Sequence, residues 1–395
     1  MHIPEGIFKS YDIRGIYSDE LNEENAVVIA AAIYKFFQQK QNKDKLKILV
    51  GYDCRISSPA ISKAVISTLA NLGADVTDAG IVATPTFYFG VSNLGFDGGI
   101  QITASHNPKE YNGMKFVIVT DKGVIKIGKS TGMDEIKRLA LKESQELEIL
   151  SQEKGKVERL ENLVAKEVEN AFKIAGQTEI KPFKIVADPA NAMGATYIEE
   201  LFKHIPGELI KMNFELDGNF PVHQPDPLQP ENVKDLQKRV IEENADLGLA
   251  PDGDGDRIMF IDEKGEFVSP AVITAMIASK ILKKNPGGKI LFDIRYILTP
   301  KKVVEELGGK TLITKVGHAF ITEAMQKEGG VFAGESSGHY YFRQTGGAES
   351  AVTAILIIFQ MMSESGKKLS ELVAEFRKSE ESGEINFRVK NAPEI

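Results

Sequence analysis

Leu46-Lys-Ile-Leu-Val-Gly-Tyr-Asp53 decides the fold of this chain. Its apolar run reads as a buried strand ending on a carboxylate, and Ser57, Ser58 and Pro59 then open a helix by the cap-then-proline signal. That helix closes at Leu72-Gly73, and Ala74-Asp-Val76 starts the next strand. The grammar returns twice. Lys184-Ile-Val-Ala187 ends at Asp188, passes a Pro-Ala-Asn-Ala-Met-Gly loop and leads into a helix through Phe202. Lys289-Ile-Leu-Phe292 ends at Asp293, before a helix with Pro300 in its first turn, a stop at Leu307-Gly308-Gly309 and the strand Thr311–Thr314. Three strand–Asp–loop–helix units predict an α/β fold of three similar modules. Ligands in such sheets sit outside the carboxyl ends of the strands, so the modules are expected around a central cleft.

Length and composition agree with several domains. The 395 residues exceed one ordinary domain, and with 42% hydrophobic and 26% charged residues a well-buried core is available. A net charge of −8 argues against a nucleic-acid partner, which requires a basic face. The single cysteine, Cys54, excludes an internal disulfide framework, fits a reducing cytoplasm and reads as a small buried hydrophobe at a strand end. No apolar run reaches the roughly 18 residues of a membrane span, and no signal peptide opens the chain, so a cytoplasmic protein without a membrane partner is expected.

Charged residues over 143–170 read as a helix-rich connection, with a boundary near 155; a second follows the strand Arg257–Ile261, near 265. The expected domains are therefore 1–155, 156–265 and 266–379. The last helix is expected over about 365–378. Glu384-Ile-Asn-Phe-Arg-Val-Lys390 then alternates like a strand. One strand cannot bury its own face, so 380–395 reads as the start of a further module cut short.

Three loops carry chemistry. Gln101-Ile-Thr-Ala-Ser-His-Asn-Pro108 places Ser105 at a strand end, with His106 beside it and a turn forced by Asn107-Pro108. An exposed polar turn is the plain reading; a nucleophile or phosphate carrier is the functional one. Asp252-Gly-Asp-Gly-Asp-Arg257 sets three carboxylates at alternate positions, with glycines that let them converge. Hard oxygen ligands suit Mg²⁺ or Ca²⁺. An EF-hand fails, because Arg257 stands where that loop needs glycine and the flanks Ala245–Ala250 and Ile258–Ile261 read as strands. Gly334-Glu-Ser-Ser-Gly-His339 offers Glu335, Ser337 and His339 to sugar hydroxyls. Two further segments are polar turns in isolation: Ser10-Tyr-Asp-Ile-Arg-Gly-Ile-Tyr17 and Lys315-Val-Gly-His318.

Together these loops resemble the α-D-phosphohexomutases, most closely the bacterial phosphomannomutase/phosphoglucomutase branch. Thr103–Pro108 with Tyr111-Asn-Gly-Met-Lys115 resembles the family's phosphoserine loop, 252–257 its metal loop and 334–339 its sugar loop. The resemblance implies a mutase moving phosphate between O1 and O6 of mannose or glucose through a hexose 1,6-bisphosphate intermediate and activator. Ser105 is the implied phosphoserine, facing one Mg²⁺ on Asp252, Asp254, Asp256 and Ser105 itself. Lys115, with Arg14 nearby, is the implied base, its pKa lowered among cations; His106 and His318 are the other candidates. Tyr11, Arg257, Arg295, Lys315, Gly317, Glu335, Ser337 and His339 are the implied substrate contacts. The family's fourth domain is expected to be missing, or present only as its first strand. The expected assembly is a monomer or weak homodimer. Phosphoglucosamine mutase is the alternative, or a sugar-phosphate binding protein with little mutase activity.

Overall fold

Each strand–Asp–loop–helix unit becomes the middle of its own sheet. The computed structural model of the chain describes residues 3–121, 123–146, 154–176 and 178–382. The first sheet contains β1 (Ile13–Ile16), β2 (Lys47–Tyr52), β3 (Asp75–Ile81), β4 (Gly98–Ile102), β5 (Tyr111–Thr120), β6 (Gly123–Lys126) and β7 (Val157–Arg159). Its order is β1-β5-β4-β2-β3-β7, with β6 on β5. Strands β3 and β4 flank β2 in parallel, while β5 runs antiparallel to β4, pairing Lys115 with Gln101. Four helices belong to this module: α1 (Glu23–Gln41), α2 (Ser58–Asn71), α3 (Thr84–Asn93) and α4 (Met133–Glu146). Helix α1 buries Ile29, Ile33, Phe36 and Phe37 against Ile48, Val50, Ile100 and Ile102 of the sheet. Full burial of each such side chain contributes about 1.5–3 kcal/mol.

Two expectations about this module change. Tyr11–Tyr17 is not only a turn, since Ile13–Ile16 pairs antiparallel with the start of β5 and sets Arg14 opposite Gly113. The first sheet also takes in Val157–Arg159, beyond the boundary expected near 155, because β7 adds in parallel to β3.

The second module holds α5 (Leu163–Ala175), β8 (Phe183–Ala187), α6 (Gly194–Leu201), β9 (Gly207–Lys211), α7 (Pro230–Glu242), β10 (Leu247–Pro251), β11 (Ile258–Asp262) and β12 (Phe267–Val268). Its sheet runs β12-β11-β10-β8-β9. In the third, α8 (Pro270–Lys284), β13 (Lys289–Asp293), α9 (Leu298–Glu306), β14 (Lys310–Thr314), α10 (His318–Glu328), β15 (Gly330–Gly334) and β16 (Tyr340–Phe342) build the sheet β14-β13-β15-β16 with its helices. The helix expected over 365–378 is α12 (Leu369–Phe376); a further helix, α11 (Ala351–Ser365), precedes it and ends at Gly366 with φ 68°. Helix α11 is buried from Ala351 through Ser363, packed on α5 and α8. Its uniform apolarity hides the helical period. The strand expected over Glu384–Lys390 lies outside the described residues. Among the described residues, no helix is long and apolar enough to cross a membrane.

The recurring aspartates have one local purpose. Backbone N–H groups of Arg55, Ala190 and Arg295 donate to Oδ1 of Asp53, Asp188 and Asp293, at 3.0, 2.9 and 2.8 Å. A strand-end aspartate thus satisfies the chain as it turns away from the sheet, the Asx-turn solution.

Candidate active site

The three loops occupy the carboxyl ends of β4, β10 and β15, as parallel packing requires. Ser105 follows β4 and adopts φ 54°, a left-handed conformation disfavoured for a residue with a Cβ. Its N–H is taken by Thr103 Oγ1 at 2.9 Å; its Oγ donates to Asp252 Oδ2 at 3.0 Å and lies 3.1 Å from His106 Nδ1. The turn is not exposed: Ser105 keeps 2% of its surface. The second module covers it, since a Cβ on Gly253 would stand 2.4 Å from the Ser105 carbonyl oxygen.

The β10–β11 hairpin closes through 252–257, with Pro251 opposite Ile258. Asp252, Asp254 and Asp256 are each at most 1% exposed, and each brings one oxygen within 4.8 Å of the others. Burial, with Asp256 and Asp254 adding repulsion, pushes the Asp252 carboxyl up to about 8. Burial also opposes charge on Asp256, but Lys115 and His339 outweigh it and hold this carboxyl well below the usual range. Lys115 reaches Asp254 Oδ2 at 2.6 Å and Asp256 Oδ2 at 2.5 Å. Burial works against its ammonium, yet Asp254 and Asp256 raise its pKa above the ordinary value. The expected lowering among cations is reversed, because its nearest neighbours are carboxylates. Asp254 Oδ1 is buried without a hydrogen-bond partner. Three converging carboxylates, one with an orphaned oxygen, fit a hard divalent cation.

Thr84, the first residue of α3, ties this loop to the first module. Its N–H donates to the Asp254 carbonyl at 2.9 Å and its Oγ1 to Asp254 Oδ2 at 2.6 Å. Arg257 closes the loop, its N–H donating to Asp252 Oδ1 at 3.1 Å while its guanidinium lies 3.9 Å from Oδ2. Arg14 bonds to Asp12 at 2.7 Å and to Asn107.

The third loop is wired to the second. His339 Nε2 lies 3.1 Å from Asp256 Oδ1, and its Nδ1 is 2.8 Å from Ser337 Oγ. Burial disfavours the charged ring, but Asp256 more than compensates and raises the pKa of His339. Glu335 accepts from Gly317 N–H at 2.9 Å and from the Tyr341 hydroxyl. Gly317 has φ 124°, and a Cβ there would sit 2.6 Å from the ring of Tyr11. Tyr11 crosses from the first module to donate to the Val316 carbonyl at 3.0 Å and packs 5.5 Å from His318. His318 is driven well below its ordinary pKa by burial and by Lys126 and Lys115. His106 is pushed down to about 2 by burial and by Arg257 and Arg14. Both rings are neutral.

Not every expected residue converges. Lys315 lies over the ring of Phe320, 5.7 Å from its centroid. Arg295 bonds back to Asp293 and lines a cavity of about 810 Å³ with Ser336, Arg377 and Ser379. Other residues were invisible to motif reading. Thr84 holds a site carboxylate from outside the three loops, and Tyr341, on the strand that follows the third, holds Glu335. Lys126 and Glu349 form a buried ion pair behind the third loop. Arg55 braces the serine loop, and its only sequence signal is an arginine two residues past a strand-end aspartate.

Models of the phosphoglucomutase/phosphomannomutase α/β/α domains I, II and III match residues 5–146, 164–265 and 269–379. A phosphomannomutase of Methanocaldococcus jannaschii is 41% identical over 390 residues, 98% of this chain and 82% of the relative. One of Vibrio cholerae is 39% identical over 393 residues, 98% of this chain and 83% of the relative. The crystal structure of a phosphoglucomutase/phosphomannomutase family protein from Burkholderia thailandensis superposes with a TM-score of 0.85 at 29% identity, covering 95% of this chain and 81% of that one.

Proposed function

This chain belongs to the phosphoglucomutase/phosphomannomutase family, and from that membership we infer a hexose-phosphate mutase acting on mannose and glucose phosphates, with Ser105 as the phosphoryl carrier. One observation carries the residue assignment: the Ser105 hydroxyl is bonded at 3.0 Å to one of three converging buried carboxylates. A Mg²⁺ ion held by Asp252, Asp254, Asp256 and Ser105 would supply the positive charge that a phosphoserine beside three carboxylates demands. Arg257 and Arg14 add fixed cations on the same side. Phosphoryl transfer is mostly positioning and neutralisation, which is what these rigidly bonded groups provide.

O1 and O6 lie at opposite ends of a hexose, too far apart for a direct hop. In the first half, a sugar hydroxyl oxygen bonds to phosphorus as the P–Oγ bond of Ser105 breaks, giving a 1,6-bisphosphate. The sugar turns around, and Ser105 Oγ takes the other phosphate by the reverse step. The hydroxyl proton needs an acceptor. Lys115 is the implied base, and a cation taking up the charge of Asp254 and Asp256 would leave its amine freer to lose a proton. His106 and His318, the other candidates, are weak acceptors because burial and neighbouring cations lower both rings. Glu335 and Ser337 receive the 3- and 4-hydroxyls; mannose and glucose differ only at C2, so both sugars fit. For the far phosphate, the implied basic contacts are Arg295, on the wall of the cavity of about 810 Å³, and Lys315. This reading places the enzyme in the cytoplasm as a monomer or weak homodimer.

The test is direct. Incubated with Mg²⁺ and glucose 1,6-bisphosphate, the wild-type chain is expected to gain the mass of one phosphate, located on Ser105. Ser105→Ala is expected to gain none and to isomerise at no more than a few per cent of the wild-type rate. Full activity in that variant would overturn the assignment.

A further inference from the structure

We propose that Arg55 is a positioning residue for phosphoryl transfer, holding Ser105 in its left-handed conformation; this rests on Ser105 being the carrier. Arg55 is 1% exposed and sealed from the cleft, yet all five of its guanidinium N–H donors are used. Nε bonds to Asp53 Oδ2 at 3.1 Å. Nη1 donates to the carbonyls of Pro108 and Tyr111 at 2.8 and 3.0 Å. Nη2 donates to those of Ser105 and Asn107, both at 2.7 Å. Four carbonyls of the turn that presents Ser105 are thereby gathered onto one rigid plane. The ring of Phe220, from the second module, lies 5.1 Å from the guanidinium.

The other modules act as internal controls. Ala190 makes the same turn on Asp188, at 2.9 Å, with no guanidinium, so the turn after the strand does not require one. Arg295 stands at the equivalent place after Asp293 but is exposed, its side chain on a cavity wall. Only in the first module does this arginine turn inward, and there it meets the loop whose serine has φ 54°. Four carbonyls pointing inward need four donors in a fixed plane. A lysine has three donors on one atom and cannot span them.

The experiment compares wild type with Arg55→Lys in the full chain, using Mg²⁺ and glucose 1,6-bisphosphate. Phosphate uptake on Ser105 in a single turnover is followed by intact mass, and kcat and KM are measured per folded molecule. The expected result is uptake and kcat lowered about 100-fold, the cost of a misplaced reacting atom, with KM close to wild type. Wild-type rates in Arg55→Lys, or a loss confined to the unfolding midpoint, would overturn the proposal. Should Arg55→Lys fail to fold, Asp53→Asn removes the charge of the anchor and keeps its shape. Slower uptake at unchanged KM supports the proposal, and unchanged uptake overturns it. Failure of the wild type to take up phosphate would instead refute the carrier reading, and the proposal with it.

Discussion

Glu167 has almost nothing to hold its charge. It is 2% exposed, Thr86 Oγ1 is bonded to one of its oxygens, and the other has no partner. Burial, only partly offset by Thr86, pushes its carboxyl from 4.5 up to about 7. A folded-state pKa above the unfolded one means that the native state binds the extra proton. Its stabilising effect is complete below pH 4.5 and is lost as pH rises through 7. The full difference is on the order of 3 kcal/mol. Glu167→Gln, which mimics the protonated form, is therefore expected to be the more stable protein at pH 8 and nearly equal to wild type at pH 4.5. Urea unfolding at both values checks this, and parallel pH profiles would refute it. Next to Lys166 in the sequence, Glu167 looks like an ordinary surface charge. Its burial follows from α5 packing on α3, which local patterning does not encode.

Among the elements, the β10–β11 hairpin depends on one small residue for its place against the first module. Gly253 lies against the serine loop, where an added Cβ would stand 2.4 Å from the Ser105 carbonyl oxygen and 3.1 Å from Pro225. That carbonyl is fixed by Arg55, so the obstacle is backbone and does not yield as a flexible side chain would. Gly253→Ala must push the carboxylate loop and the serine apart. Crowding of this kind costs about 1–3 kcal/mol in stability, and the displacement is expected to lower kcat about 100-fold. Steady-state kinetics beside a urea titration would check both. A fully active Gly253→Ala would show that the two loops are not held in register through this contact.

Across the whole molecule, the first and third modules are joined by a buried ion pair. Lys126, 2% exposed on β6, meets Glu349, 1% exposed, just ahead of α11. The ammonium also stands 4.3 Å from the Tyr88 ring centroid and 5.3 Å from that of Tyr341. Tyr341 donates to Glu335, so the pair borders the third loop. Removing one partner strands a charge in a low-dielectric interior, at about 3–5 kcal/mol. Lys126→Met and Glu349→Leu are each expected to destabilise by that amount. The double variant is expected to recover most of the loss, because no unpaired charge remains. Denaturant unfolding of the four proteins measures the coupling, and simple additivity would refute it.

What the sequence determined by itself is local. Strand ends at Asp53, Asp188 and Asp293 were legible because an apolar run, a carboxylate and a helix-opening proline or glycine loop follow one another within about a dozen residues. The hairpin of 252–257 was equally plain, since alternating Asp and Gly have few other uses. Side chains that act across the chain were not legible. Arg55 reaches carbonyls some fifty residues away, Lys115 meets Asp254, and Lys126 meets Glu349, separations of 139 and 223 residues for the last two. Whether Ser105 is exposed, and whether Lys115 sits among cations or carboxylates, was likewise decided only when the modules packed together. Short-range pattern records which conformation each segment prefers; burial and charge partners depend on what another segment brings alongside, and only the tertiary structure supplies that.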